Sequence, residues 1–289
     1  MAQPSEHSIA NGEIELYCLS QGEGPLVLMC HGYPGLSYSW RHQMPALAQA
    51  GYRAVAMDMR GYGRSSRPQA AENYGFDSTG ADVLAVLDHF GVEQAVMVGH
   101  DFGANLSWHM GIHHSDRIRA IAPLCVPYDM PLSGGCDVLP SELFAEIAKK
   151  HFFHMHYYQP VGVAESHVAG KEREFLMRLF WALSGEGGLL DWENFPTDGT
   201  EYIDVLEVPP APPPWPWLPA RDFDYYLREY LCAGPELAFI GGINSYRAMD
   251  RNWSMYRGSA HARVRVPTLF VGGAQDPVTV LAGEEACLL

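Results

Sequence analysis

The stretch that most constrains this chain is QAVMVGHDFGA, from Gln94 to Ala104. Its first part is a short apolar run rich in β-branched residues, as expected of a strand buried on both faces. Gly99 and Gly103 then bracket Asp101 in a Gly-x-Asp-x-Gly frame, and helical spacing begins at once, over Ala104–His113. A strand that turns this tightly into a helix pushes the central side chain into a cleft. The N–H of Phe102 opens the helix and, with a second N–H, makes a corner that can hold an oxyanion. Outside that setting the same residues would be an ordinary glycine-rich loop.

The setting recurs. Pro25–Gly32, Arg53–Gly61, Ile118–Pro127 and Thr268–Gly273 are further apolar runs ended by turn formers. Ser78–Phe90 carries Val83, Leu84, Leu87 and Phe90 at helical spacing. Alternating strands and helices predict an α/β fold, a mostly parallel sheet flanked by helices. From Tyr128 to about Tyr256 the chain is helical and aromatic, and VPPAPPPWPWLP (Val208–Pro219) reads as extended loop because proline bars helix and central strand. The expected organisation is a core in two parts, 1–127 and 257–289, with a helical lid, 128–256, inserted between core strands.

A chain of 289 residues suits one large domain, and a net charge of −15 argues against nucleic acid or an anionic membrane as partner. The N-terminus lacks the basic end and apolar run of a signal peptide, and no stretch approaches membrane-spanning length. Six scattered cysteines without a C-x-x-C pair read as reduced thiols, so the expected location is cytoplasmic.

Carboxylate in place of serine changes the electrophile. Serine must lose a proton before it attacks a carbonyl. Aspartate is already an anion at neutral pH and displaces a leaving group from saturated carbon, giving an alkyl ester of Asp101. Water then attacks the carbonyl of that ester, and the oxyanion corner serves this second step. The substrates so selected are epoxides or halides.

HGYPG (His31–Gly35), MDMRGYGRSS (Met57–Ser66), GHDFGA (Gly99–Ala104) and INSYRAMDRNW (Ile243–Trp253) together resemble the soluble epoxide hydrolases of the α/β-hydrolase superfamily, over about residues 10–280. The resemblance implies Asp101 as nucleophile. It implies the N–H groups of Tyr33 and Phe102 as the oxyanion hole, with Pro34 in a position that is often cis. Tyr246 matches a lid tyrosine that donates its O–H to the epoxide oxygen; elsewhere a tyrosine at such a place would be simple core. Asp276 matches the acid that orients the catalytic histidine, the alternative being a turn residue before Pro277. Pro34, Trp40 and Tyr157 are expected along the substrate pocket. The expected partners are a small apolar epoxide and water, with no cofactor.

The chain departs from this pattern twice. Where the family has a second lid tyrosine, HFFHMHYYQPVGVAE (His151–Glu165) places His154, with Tyr157 as fallback if the helix is shifted by a turn. An imidazole also donates a hydrogen bond, and as imidazolium it would lose that ability as pH rises. The family's histidine base follows the acid, yet no histidine follows Asp276 in these residues. His100 is the nearest substitute, but strand alternation should point it away from Asp101. Accordingly the sequence predicts alkylation without efficient hydrolysis. It also predicts an uncovered sheet edge that favours homodimers.

Other motifs carry less. His151, His154 and His156 lack carboxylates at metal-site spacing, and His109 and His113 have Met110 where a zinc protease needs glutamate. RGYGRS lacks the end of a phosphate loop and reads as a structural turn. The rivals to an epoxide hydrolase are a haloalkane or haloacid dehalogenase with the same nucleophile, and a non-catalytic ligand-binding relative.

Overall fold

The computed structural model describes residues 3–128, 137–257 and 263–282. Six strands build one sheet: β1 (Ser5–Asn11), β2 (Ile14–Gln21), β3 (Leu26–Cys30), β4 (Arg53–Met57), β5 (Ala95–His100) and β6 (Ile118–Leu124), in the order β1-β2-β4-β3-β5-β6. β4, β3, β5 and β6 are parallel, and the β1–β2 hairpin joins β4 antiparallel. The hairpin was not legible as strands, because β1 is mostly exposed and offers no apolar run.

Residues 267–271 continue the sheet beside β6. The N–H of Leu269 donates to Ile121 O (3.0 Å) and that of Cys125 to Val271 O (2.9 Å), but pairing is limited to two isolated bridges. The expected strand Thr268–Gly273 is therefore a short, one-sided extension, with Leu269 63% and Val271 47% exposed.

The apolar runs are continuous because both sheet faces are covered. Leu26, Leu28 and Cys30 enter the larger core, and Val27 and Met29 enter the smaller one behind the sheet. Helix α1 (Gln43–Gln49) covers the smaller core through Met44, beside Trp40. The larger core receives Val83, Val86 and Leu87 from α2 (Phe76–His89) and Leu106 and Met110 from α3 (Phe102–His113). Trp40 thus packs behind the sheet and does not line a substrate pocket, a correction to the expectation above.

After β6 come α4 (Pro140–Ala148), α5 (His154–Tyr157), α6 (Val163–Val168), α7 (Glu172–Ala182), α8 (Tyr202–Val205), α9 (Ala220–Leu231), α10 (Ile240–Arg247) and α11 (Met249–Tyr256). A last helix, α12 (Pro277–Ala282), follows the edge extension. The proline-dense stretch 208–219 holds neither helix nor named strand. No described helix is long and apolar enough to cross a membrane.

The turn after β4 holds the loop after β3. Asp58 accepts from the N–H of Ser37 (2.7 Å) and of Arg64 (3.1 Å), and His31 Nε2 accepts from the N–H of Met59 (3.0 Å). Gly63 is required here, since a Cβ would lie 2.0 Å from the Asp58 carboxylate. Arg60 forks onto Asp82 with two bonds of 2.6 Å. Buried Arg67 donates to the carbonyls of Glu229 and Tyr230 (2.7 Å each), at the end of α9, and so ties the insertion to the core. Asp82→Ala would leave the Arg60 guanidinium buried and unpaired. The expected loss is about 3–5 kcal/mol, read by urea denaturation; a loss under about 1 kcal/mol would show that the pair carries little.

Candidate active site

Asp101 sits where β5 breaks into α3, at φ 54° and ψ −119°. Three glycines permit that geometry. A Cβ on Gly99 would lie 1.9 Å from Gly103 O, one on Gly103 2.2 Å from Cys30 O, and one on Gly32 2.3 Å from Asp101 Cβ. Side-chain-free backbone at all three lets β3, the elbow and α3 approach this closely.

Two backbone donors converge on one oxygen of the Asp101 carboxylate. Asp101 Oδ2 accepts from the N–H of Phe102 (2.7 Å) and of Tyr33 (3.3 Å). The Tyr33–Pro34 bond is cis. Burial pushes the Asp101 carboxyl above its usual range; the charge of His100 and the two N–H groups oppose that, and Asp276 adds to it.

Asp101 borders two spaces, which also share Tyr33, Leu183, Pro277 and Val278. One is a cavity of about 120 Å³ beneath the inserted helices, lined by Asp101, Tyr246, His154, Tyr158, Tyr202 and Trp192 among others. The other is an open cleft of about 910 Å³, lined by Tyr33, Pro34, His100, Asp101, Cys125 and Asp276 among others. Cys125, at the end of β6, has φ 76° and is, with Asp101, one of two non-glycine residues of positive φ among those described. Both strained residues border the cleft, where such strain commonly marks function.

Tyr246 is held by its own phrase. Asn244 donates to Gln69 O (2.9 Å), and Arg247 pairs with Glu165 (2.6 Å) and donates to Tyr158 O (2.8 Å). The Tyr246 ring meets Phe102 edge-on (4.9 Å), stacks on Tyr158 (5.1 Å) and stands perpendicular to His154 (5.3 Å).

His154 is buried, stacked on Tyr202 (5.7 Å) and packed against Trp192 (5.0 Å). Burial alone lowers its pKa to about 3. Its Nδ1 is buried without a partner. A hydrogen on Nε2 orphans only an acceptor lone pair, whereas a hydrogen on Nδ1 would orphan a donor. Any hydrogen bond from His154 therefore comes from a neutral imidazole, which corrects the imidazolium expectation.

Other expected residues are sorted by the fold. Tyr157 is not in the cavity wall, and its hydroxyl bonds His167 Nδ1 (2.9 Å), so it is no fallback donor. Asp276 lines the cleft and also accepts from the N–H of Val278 (2.9 Å) at the start of α12. His100 borders the cleft, as Asp101 does, and also lines a second hollow beside His31 and Trp40. Of the residues not anticipated, Tyr158 adjoins the lid phrase that was read, while Tyr202 lies in a stretch with no motif. Cys18, Cys30, Cys125 and Cys232 are free; Cys136 and Cys287 lie outside the described residues.

A mostly parallel mixed sheet, an acid on a strand–helix elbow and two N–H donors facing it define the α/β-hydrolase class, and the family model described as alpha/beta hydrolase fold matches residues 25–141. Epoxide hydrolase A of Mycobacterium tuberculosis is 37% identical over 281 residues, spanning 96% of this chain and 84% of its own length. A solved epoxide hydrolase from an endophytic Streptomyces matches with a TM-score of 0.89 at 34% identity, over 99% of this chain and 84% of that one. Epoxide hydrolase A of Mycobacterium thermoresistibile gives a TM-score of 0.84 at 38% identity, over 94% and 82%. The chain belongs to the epoxide hydrolase family.

Buried neutral histidines set an acid limit on the fold. Burial lowers His154 and His109 to about 3 and His31 to about 4. Unfolded histidine, near 6.5, binds more protons than the folded form between those values, so stability is full above about pH 6.5 and falls as pH drops through that window. His154→Phe should lose less stability than the parent between pH 7 and pH 4.5 in urea unfolding. Equal losses would refute a neutral buried His154.

Proposed function

We propose that the chain is an epoxide hydrolase that works through an Asp101 ester, with α4–α11 acting as its lid. The supporting observation is the division of labour at one carboxylate. Two N–H groups hold Oδ2, while Oδ1 accepts no hydrogen bond among the described residues and is left to attack. Attack on an epoxide carbon breaks its C–O bond and develops an alkoxide, a poor leaving group without a donor. Tyr246 supplies the proton and His154, as neutral imidazole, a second hydrogen bond; both line the cavity with Asp101. The ester carbonyl oxygen is then Oδ2, already in the oxyanion hole, ready for water to release a vicinal diol. The reading places the substrate under the lid, walled by aromatic rings that suit a small apolar epoxide. A dehalogenase is disfavoured because Phe102, next to the nucleophile, has no side-chain N–H to hold a departing halide. The reduced cysteines support the proposed cytoplasmic location.

Mixing the protein with styrene oxide should add the mass of the epoxide to the Asp101 peptide, and Asp101→Asn should abolish the adduct. Tyr246→Phe should slow its formation by about 10²–10⁴-fold. His154→Phe should slow it as well, and the parent-to-variant ratio should stay constant from pH 5.5 to 8.5, because His154 carries no charge there. An adduct on any other residue, or halide release from a bromoalkane without any reaction with epoxides, would sink the reading.

A further inference from the structure

Asn105 is the one amide among the described residues that line the cavity beneath the inserted helices. It stands on α3, one helical turn after Asp101, and its N–H donates to Asp101 O (3.1 Å). Cα–Cβ bonds on a helix tilt toward its N-terminus, so the carboxamide leans back over the turn that carries Asp101. The Asn105 side chain makes no hydrogen bond among the described residues. The segment after β6, α4 and α11 bring Val126, Pro140, Phe144 and Met249 to the same wall, and none of these has a side-chain N–H or O–H.

The other polar groups of the cavity are already engaged or turned away. Tyr246 and His154 serve ring opening in the reading above. The hydroxyls of Tyr33 and Tyr158 are buried in the wall. Tyr202, on α8, is stacked on His154 (5.7 Å) among the inserted helices. On the core side of the cavity, Asn105 is therefore the group beside Asp101 that can hydrogen-bond a guest. A guest that fills the cavity strips water from this carboxamide, which is costly unless the guest supplies a partner. Leucine would close the same wall without that cost.

We propose that Asn105 is a specificity-determining residue that selects epoxides with a hydrogen-bonding oxygen one carbon away from the ring. This rests on the reading of Asp101 as the nucleophile and of this cavity as the substrate site. The carboxamide N–H donates to that oxygen while Asp101 attacks the terminal ring carbon. One helical turn rises about 5.4 Å, a span that the bonds from the attacked carbon to the oxygen, plus one hydrogen bond, can bridge. The remainder of the guest stays apolar, as the aromatic wall demands. Discrimination then comes from one oxygen atom rather than from size, because an epoxide lacking it leaves the amide unpaired.

The test compares glycidyl methyl ether with its hydrocarbon isostere, terminal pentene oxide, which has a methylene in place of the ether oxygen. Each is mixed with excess protein, and its consumption, followed by gas chromatography, gives a second-order rate constant. The ether-to-hydrocarbon ratio in the parent is divided by the same ratio in Asn105→Leu, which cancels the intrinsic reactivity of the two epoxides. The quotient should be about 3–10, with the loss falling on the ether. Asn105→Ala, well suited to a helix, should shift the ratio in the same direction and carries the comparison should leucine overfill the wall. A quotient of one in both variants would overturn the assignment. So would an equal loss on both epoxides, which would make Asn105 a structural residue. Asp101→Asn checks the underlying reading separately. It should abolish consumption of both epoxides, and consumption at the parent rate would sink the nucleophile reading, whatever the quotient at Asn105.

Discussion

Two backbone N–H groups on one oxygen of Asp101 are the contact on which the rest of this structure depends. They come from different parts of the chain, Tyr33 from the loop after β3 and Phe102 from the first residue of α3. Bringing them together requires that β3 and β5 be neighbours and that no side chain stand at Gly32, Gly99 or Gly103. It also requires the loop after β3 to stay where it is. Asp58 and His31 secure that loop from either side, one receiving the N–H of Ser37, the other receiving the N–H of Met59. Loop geometry at this pair of donors is thus maintained by buried hydrogen bonds that would be expensive to leave unmade.

Two spaces of different chemistry border Asp101. Beneath the inserted helices, aromatic rings surround a phenol and a neutral imidazole, a wall that favours an apolar guest. The second, the cleft, is open and carries His100, Cys125 and Asp276. Tyr246 and His154 differ in kind. Tyr246 carries a phenol, whereas His154, packed against Tyr202 and Trp192, is fixed as a neutral ring by its burial. An imidazolium among these rings would face a desolvation cost that nothing nearby offsets.

Much of this was legible in the sequence alone. Strands buried on both faces read as unbroken apolar runs, so β3, β4, β5 and β6 were apparent, and the Gly-x-Asp-x-Gly frame announced an elbow that presents a carboxylate. The phrases around Tyr33, Tyr246 and His154 located two side chains of the cavity wall and the second N–H on Asp101, because local anchors such as Asn244 and Arg247 lie in the same phrase as the residue they position. Other features needed the folded chain. β1 was silent because an exposed strand has no apolar run. Tyr202 carries no motif and reaches His154 only through the packing of α8 on α5. Tyr157 and Trp40 were misplaced because helix phase and sheet face are set by what packs against them. The sequence by itself determined the order of the core elements and the elbow that presents a carboxylate, since these follow from residue type and local periodicity. Tertiary structure alone decided which rings surround His154 and that it bears no charge, since both depend on burial by residues distant in the chain.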